Sequence, residues 1–262
     1  MSGGFNSYSS EHSSPERLAN LRTAIKKLGA DIIGLVDTFR WDQIYTETDL
    51  KKLFNYKHAY CINLNDERLK TLGHNNGITL LSNFEIIEPL SIRLATRNAI
   101  KVRVQANNPF TLVIAYLDDI SDDARLRQLR ALRSLIDPKM RLLIMGDINA
   151  TKSSDVIDAT TQLERFYVEN PEIAKKLKPV INDILYSKVI DQLESWGLRD
   201  ADQELHRPTF PTPLFPAKTH RPILRPDYCF YSPQLSVGKF NVPYDDIFKK
   251  SSDHFPIVFD VE

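Results

Sequence analysis

The chain has 262 residues, 42% of them hydrophobic, with 34 basic and 34 acidic side chains. That apolar share supports a full core and excludes a disordered chain, and the balanced charge leaves no global field for gripping a polyanion, although a local basic groove stays open. Only two cysteines, Cys61 and Cys229, are present, too few for a disulfide framework or a zinc cage, and they read as small buried hydrophobes.

Residues 1–14 are polar and lack the apolar stretch of a secretory signal, so the cytosol is the default compartment. Ser14-Pro15-Glu16 has the form of a helix start, with Leu18, Leu21, Ile25 and Leu28 at helical spacing and Gly29 as the stop. Asp31-Ile32-Ile33-Gly34-Leu35-Val36-Asp37 is a short apolar run ending in a carboxylate and reads as a buried strand. Residues 77–82, 85–93, 99–105 and 110–117 are strand-like, and Ile100, Val102 and Val104 alternate with Lys101, Arg103 and Gln105. Four strands in succession predict an antiparallel meander. Ser121 caps a helix reaching Ile136, whose Arg125, Arg127, Arg130 and Arg133 read mostly as a solvated face. Another buried strand follows at 140–145. Residues 152–196 are predicted helical, with a break near Asn170-Pro171, and the proline-rich stretch 208–226 is a loop. Residues 227–232 and 257–261 close the chain as strands. No run of about 18 apolar residues exists, so no membrane span is expected. The pattern predicts one α/β (α+β) domain with mostly antiparallel sheet, expected as a monomer.

Polar residues collect at the ends of these strands: Asn6, Asp37, Tyr116, Asp147, Asn149, Asp227, Asp253 and His254. Hard oxygen ligands at such a place suit Mg²⁺, which is usually held by one or two carboxylates and a substrate phosphate. Asp37 and Asp253 can supply that charge. Asp147 can orient or deprotonate a water, and Asn149 and Asn6 can hold phosphate oxygens or the ion. His254, bonded to a carboxylate such as Asp227, would stay charged and stabilise a phosphoryl transition state. Taken singly, each has a plainer reading. Gly-Asp after a strand is often a turn, Ser-Asp-His can be a capped turn, and Tyr116 alone reads as a core tyrosine. His12, His58, His74, His206 and His220 show no metal-ligand spacing.

The order of the segments lowers those plainer readings jointly. Asp31-Ile-Ile-Gly-Leu-Val-Asp37, Gly77-Ile-Thr-Leu-Leu-Ser82, Gly146-Asp-Ile-Asn149, Arg225-Pro-Asp-Tyr-Cys-Phe230 and Ser252-Asp-His254 together resemble the endonuclease/exonuclease/phosphatase superfamily over nearly the whole chain. The resemblance implies a DNase I-like four-layer sandwich, two packed and mainly antiparallel sheets flanked by helices. It implies a Mg²⁺- or Mn²⁺-dependent phosphoesterase acting on a phosphate-ester substrate, nucleic acid among the candidates. Asn6, Asp37 and Asp253 then stand at the metal side, Asp147 and Asn149 at the water and phosphate, and Asp227 and His254 as the paired acid and imidazole. Three departures stand out: Asp37 replaces the family's glutamate, Tyr116-Leu117 replaces a common His-Leu, and few residues precede Asn6. The long helical stretch after Asn149 is expected to cap the substrate side as an insertion. A catalytically weak binding module on the same fold is the competing expectation. Phe39-Arg40-Trp41 and the segments 206–207 and 220–221 could flank a nucleic-acid groove or simply pack as loops.

Overall fold

The computed structural model describes residues 15–65, 76–203, 205–215 and 221–262. The expected cap Ser14, as well as Asn6, His12, His74 and His220, lies outside the described residues. Helix α1, Pro15–Leu28, starts on proline, whose fixed φ suits the first helical position, and ends before Gly29 at φ 60°. It buries Leu21, Ala24 and Ile25. Strand β1, Ile32–Phe39, follows, then the short helices α2, Trp41–Ile44, and α3, Glu47–Phe54, and strand β2, His58–Ile62. Strands β3, Asn76–Ser82, β4, Glu85–Leu94, β5, Arg97–Gln105, and β6, Phe110–Tyr116, come next. Ser121 caps α4, Asp122–Leu132, through a hydrogen bond from Ala124 N, and β7 runs over Leu142–Asp147.

The predicted helical stretch resolves into α5, Val156–Glu169, α6, Pro171–Leu185, and α7, Val189–Ser195. The break falls at Asn170-Pro171, as expected. Short β8, Arg199–Asp200, precedes the proline-rich loop. Then come β9, Asp227–Tyr231, β10, Val237–Asn241, α8, Asp246–Lys249, and β11, Val258–Val261.

Six strands form one sheet in the order β4-β5-β6-β7-β9-β8, and three form another in the order β1-β3-β2. The expected four-strand meander is therefore corrected. β4, β5 and β6 do form it, but β3 pairs with β1 and β2 in the opposite sheet. Alternation explains the assignment. Ile78 and Leu80 of β3 face Ile100, Val102, Leu112 and Ile114 in the core between the sheets, while Leu81 faces α1 and α3. On the far side of the larger sheet, Val113 and Ile144 meet Leu129 and Leu132 of α4 and Ile190 and Leu193 of α7. The result is four layers, helix, sheet, sheet, helix, each sheet burying both faces. Among the described residues no helix is long and apolar enough to cross a membrane.

One charged side chain departs from the expected solvated face of α4. Arg125 is fully buried, donating to the carbonyls of Asp118 at 3.0 Å and Asp183 at 2.6 Å. It ties the loop after β6 to the end of α6, so a buried guanidinium here satisfies backbone acceptors instead of meeting solvent.

Candidate active site

Three neighbouring strands of the larger sheet end in register. Tyr116 of β6 pairs with Asp147 of β7, and Asp147 pairs with Asp227 of β9. Three polar side chains therefore stand in one row across the sheet end. The row is tight because of Gly146: its φ is 143°, and a Cβ there would lie 2.0 Å from the Ala115 carbonyl oxygen. Only glycine lets β6 and β7 approach in this way. Beyond the row, Ile148 N donates to Pro226 O at 2.9 Å, so the β7 and β9 ends stay joined past the ladder.

The loop before β11 brings His254 to this row. It is fastened from the proline-rich loop: Thr212 N donates to Asp253 O at 2.7 Å, the Thr212 hydroxyl to Ser252 O at 2.6 Å, and Phe255 N to Thr209 O at 2.8 Å. Phe210 lies against the imidazole with ring centroids 4.8 Å apart. His254 Nδ1 sits 2.8 Å from Asp227 Oδ2, and the Thr209 hydroxyl donates to that same oxygen.

Charge in this row is unevenly shared. Burial alone would lower the His254 pKa, but the Asp227 carboxylate and its hydrogen bond raise it to about 9. Burial likewise pushes Asp227 upward, and His254 and Thr209 overcome that and hold it below the usual carboxylate range. Asp147 has no such hydrogen-bonded imidazole; burial and the Asp227 charge raise it to about 7 against the pull of the His254 charge and, more weakly, of the Asn149 N–H. Near neutral pH the row thus holds an imidazolium–carboxylate pair beside a carboxyl poised to gain or lose a proton.

Asn149 is buried at φ 51°. Its N–H donates to Asp147 Oδ1 and its Nδ2 to Leu117 O, both at 3.1 Å. The side chain is pinned between the two strand ends.

The smaller sheet contributes a second group. Asp37 occupies a β-bulge in β1: the register with β3 slips between Val36 and Thr38, and Asp37 has φ 60°. A bulge re-aims one side chain out of the alternation, here a carboxylate only 3% exposed. Asp253, 6% exposed, is the other buried acid. Two arginines answer them. Burial lowers the pKa of Arg17 on α1, while Asp253 and Asp37 both act to raise it, so this guanidinium links the two carboxylates electrostatically. Arg97 stacks on the Tyr116 ring at 4.6 Å and pairs with Asp119. The Tyr116 phenol is held well above its ordinary pKa by burial and by Asp37, with Arg97 pulling it back.

Of the eight residues singled out from the sequence, seven lie among the described residues. Asp147, Asp227 and His254 offer ligand atoms within 4.8 Å of one another, Tyr116 and Asn149 flank them, and Asp37 and Asp253 share Arg17. Asn6 lies outside the described residues. Arg17, Arg97 and Thr209 were missed. Arg17 reads as one more solvated helix residue, Arg97 as strand polarity and Thr209 as loop, and no local pattern marks them. Trp41, entertained as groove lining, is 1% exposed and stacks on Phe54, so ordinary packing accounts for it.

The profile of the Endonuclease/Exonuclease/phosphatase family matches residues 3–254. The chain belongs to this family. Its members are generally hydrolytic phosphoesterases and usually depend on a divalent metal. Solved structures agree in fold. An AP endonuclease from Archaeoglobus fulgidus superposes with a TM-score of 0.67 at 15% identity, covering 93% of each chain. The human Nocturnin catalytic domain gives 0.64 at 15% identity, covering 99% of this chain and 90% of its own. A mannosyl-6-phosphatase from Bacteroides thetaiotaomicron gives 0.60 at 14% identity, covering 94% and 91%. No curated protein sequence matches the chain.

Which residues suit a metal can be argued from the donors. Asp147, Asp227 and His254 are close enough to share an ion. The imidazole, however, is engaged to Asp227 and holds its proton to about pH 9, and an imidazolium repels a cation. Asp37 and Asp253 are hard oxygen donors already arranged around positive charge. They fit a divalent ion of the Mg²⁺ or Mn²⁺ kind better.

Proposed function

We propose that this chain is a Mg²⁺- or Mn²⁺-dependent hydrolase of phosphodiester or phosphomonoester bonds, a nuclease or a small-substrate phosphodiesterase, built as one domain with residues 152–196 inserted. The observation that carries this reading is the Asp147–Asp227–His254 row, in which a charged imidazole held at 2.8 Å by its carboxylate adjoins a second carboxyl raised to about 7.

The residues divide the work. Asp147 takes a proton from the attacking water, with a pKa near the working pH, the best place for a general base. His254, oriented through Nδ1 by Asp227, presents Nε2–H to a nonbridging phosphoryl oxygen and stabilises the charge that grows there. Thr209 and Phe210 keep that ring in place. Asn149 and Asn6 bind the substrate phosphate, and Tyr116 lines its approach. A divalent ion held by Asp37 and Asp253, with Asn6, would neutralise charge on the substrate and the leaving oxygen.

One observation favours a second reading, a binding module with weak or no turnover. Arg17 already sets positive charge against both Asp37 and Asp253, and Asp37 is shorter than a glutamate would be. Turnover of a generic aryl phosphodiester separates the two. The hydrolase reading expects activity that EDTA abolishes and Mg²⁺ or Mn²⁺ restores, and that His254→Ala and Asp147→Ala proteins lack while still folded. Equal background rates in all three proteins would leave the binding module standing.

A further inference from the structure

Strand β1 alternates regularly up to its bulge. Ile33 and Leu35 pack with α1 and α3, while Val36 faces the core between the sheets. Continued alternation would turn Asp37 toward the helices and Thr38 toward the core. The bulge between Val36 and Thr38 reverses this, and Thr38 takes the helix-side place. Its neighbour shows as much. Thr79 of β3 lies between the core residues Ile78 and Leu80, so it points to the opposite, helix-facing side. Thr79 Oγ1 lies 3.1 Å from Thr38 Oγ1 and 3.1 Å from Cys61 Sγ on β2. Cys61 packs against the same helix-side cluster. Three side chains from β1, β3 and β2 thus form one polar chain across the smaller sheet, with Thr38 4% and Thr79 0% exposed. Burial pushes the Cys61 thiol up to about 11, so this link stays neutral. Gly77 stands opposite Thr38. A Cβ there would lie 2.4 Å from Ile62 O and 3.3 Å from Thr38 Oγ1, so glycine leaves the hydroxyl its space.

We propose that Thr38 and Thr79 are positioning residues for Asp37: their hydroxyls lock the bulge in phase and so aim the carboxylate at the cation site. The role given to Asp37 rests on the hydrolase reading above. Asp37 has φ 60°, which is unfavourable for any residue but glycine, and such a conformation persists only where its surroundings fix it. Slipping β1 by one residue would relieve it. The slip would also carry the Thr38 hydroxyl into the core beside Ile78 and Leu80 and leave Thr79 without one of its partners. Two valines in these places would resist no slip, because a branched apolar side chain is at home on either face. The hydroxyls therefore set the phase that shape alone leaves open. Asp37, one methylene shorter than a glutamate, has one torsion fewer with which to correct a misplaced backbone, so its aim depends on this lock.

Thr79→Val, which keeps the side-chain shape and removes the hydroxyl, tests this on the full chain without reference to turnover. In the ion-free protein, the Cα and Cβ chemical shifts of Asp37 report its left-handed backbone, and Thr79→Val should move them toward extended values. Calorimetry should find Mn²⁺ bound about tenfold more weakly, the usual effect of losing a group that orients a metal ligand. Thr79→Ser should restore both. The His254 titration should stay as in wild type, since its hydrogen-bonded partner Asp227 stands on the other sheet. Wild-type Mn²⁺ affinity in Thr79→Val, or unchanged Asp37 shifts, would overturn the proposal and leave the hydroxyls as stabilisers of the sheet. Should Thr79→Val not fold, Thr38→Val removes the other hydroxyl and should give the same two changes. A wild-type chain that binds no Mn²⁺ would remove the cation reading of Asp37. The shifts would then decide alone, and left-handed values kept in the valine variants would sink the proposal.

Discussion

The two halves of the candidate site hold their acids in opposite ways. On the larger sheet, Asp227 is neutralised by one imidazole at 2.8 Å, and Asp147 is left without an equal partner and shifted upward. Asp37 on the smaller sheet and Asp253 in the loop before β11 are answered instead by a guanidinium, which cannot give up its proton. The first half can therefore move protons near neutral pH, and the second can only exchange one positive charge for another. That contrast separates proton handling from cation handling within one end of the sandwich.

The largest effect is expected at Asp147. Asp147→Asn should cut kcat by roughly 10²–10⁴, the usual contribution of a positioned base. The same change should raise stability. Its folded pKa lies above the ordinary value of 3.8, so ionisation costs the folded state stability as pH rises from about 4 to about 7. Removing the charge should recover on the order of 1–3 kcal/mol in denaturant melts at pH 8. A variant that is inactive and no more stable would mean that Asp147 is not held out of its charged form.

Gly146→Ala should destabilise the whole row by about 3 kcal/mol or more, because its Cβ would strike the Ala115 carbonyl at a φ that L-residues rarely adopt. Thermal melting checks this, and a loss below 1 kcal/mol would mean β6 and β7 can part without cost.

Asp227→Asn probes the pair. His254 has a folded pKa raised above its ordinary 6.5, so its stabilisation is complete below about 6.5 and is lost as pH rises through about 9. In metal-free Asp227→Asn protein the largest upward influence is gone, and NMR titration should find the imidazole well below its value of about 9, with Asp253 and Asp147 still drawing it up against burial. The pH-dependent loss of stability between 6.5 and 9 should shrink with it. An unchanged titration would locate the charge-stabilising partner elsewhere.

The smallest effect belongs to the other half. Arg17→Met leaves two acids without their shared cation, so Mn²⁺ should bind a few-fold more tightly by calorimetry while the ion-free protein loses stability. Weaker Mn²⁺ binding would show that Arg17 supports the ion instead of competing with it.

Much of this was legible in the sequence, for identifiable reasons. Buried strands that end in an acid, the Asn170-Pro171 break and the Ser121 cap are local signals, and each appears in the fold where its residues placed it. Asp147, Asp227 and His254 were readable because strand ends converge. What stayed hidden depends on partners distant in sequence. β3 looks like its neighbours and joins the other sheet because it pairs with β1, from Phe39 with Asn76 to Ile32 with Ser82, residues distant along the chain. The bulge at Asp37 has no glycine or proline to announce it. Arg125 reads as a surface residue until Asp183, far along the chain, supplies its acceptor. α3 could have been found, since Thr46 and Asp49 form a reciprocal capping box.

The division of labour between the halves is tested most directly by locating the ion. Crystals soaked in Mn²⁺ give an anomalous difference map that places it without reference to activity. The account predicts a peak bounded by the carboxylates of Asp37 and Asp253, with His254 still hydrogen-bonded to Asp227. A peak coordinated by His254, Asp147 and Asp227 would contradict it.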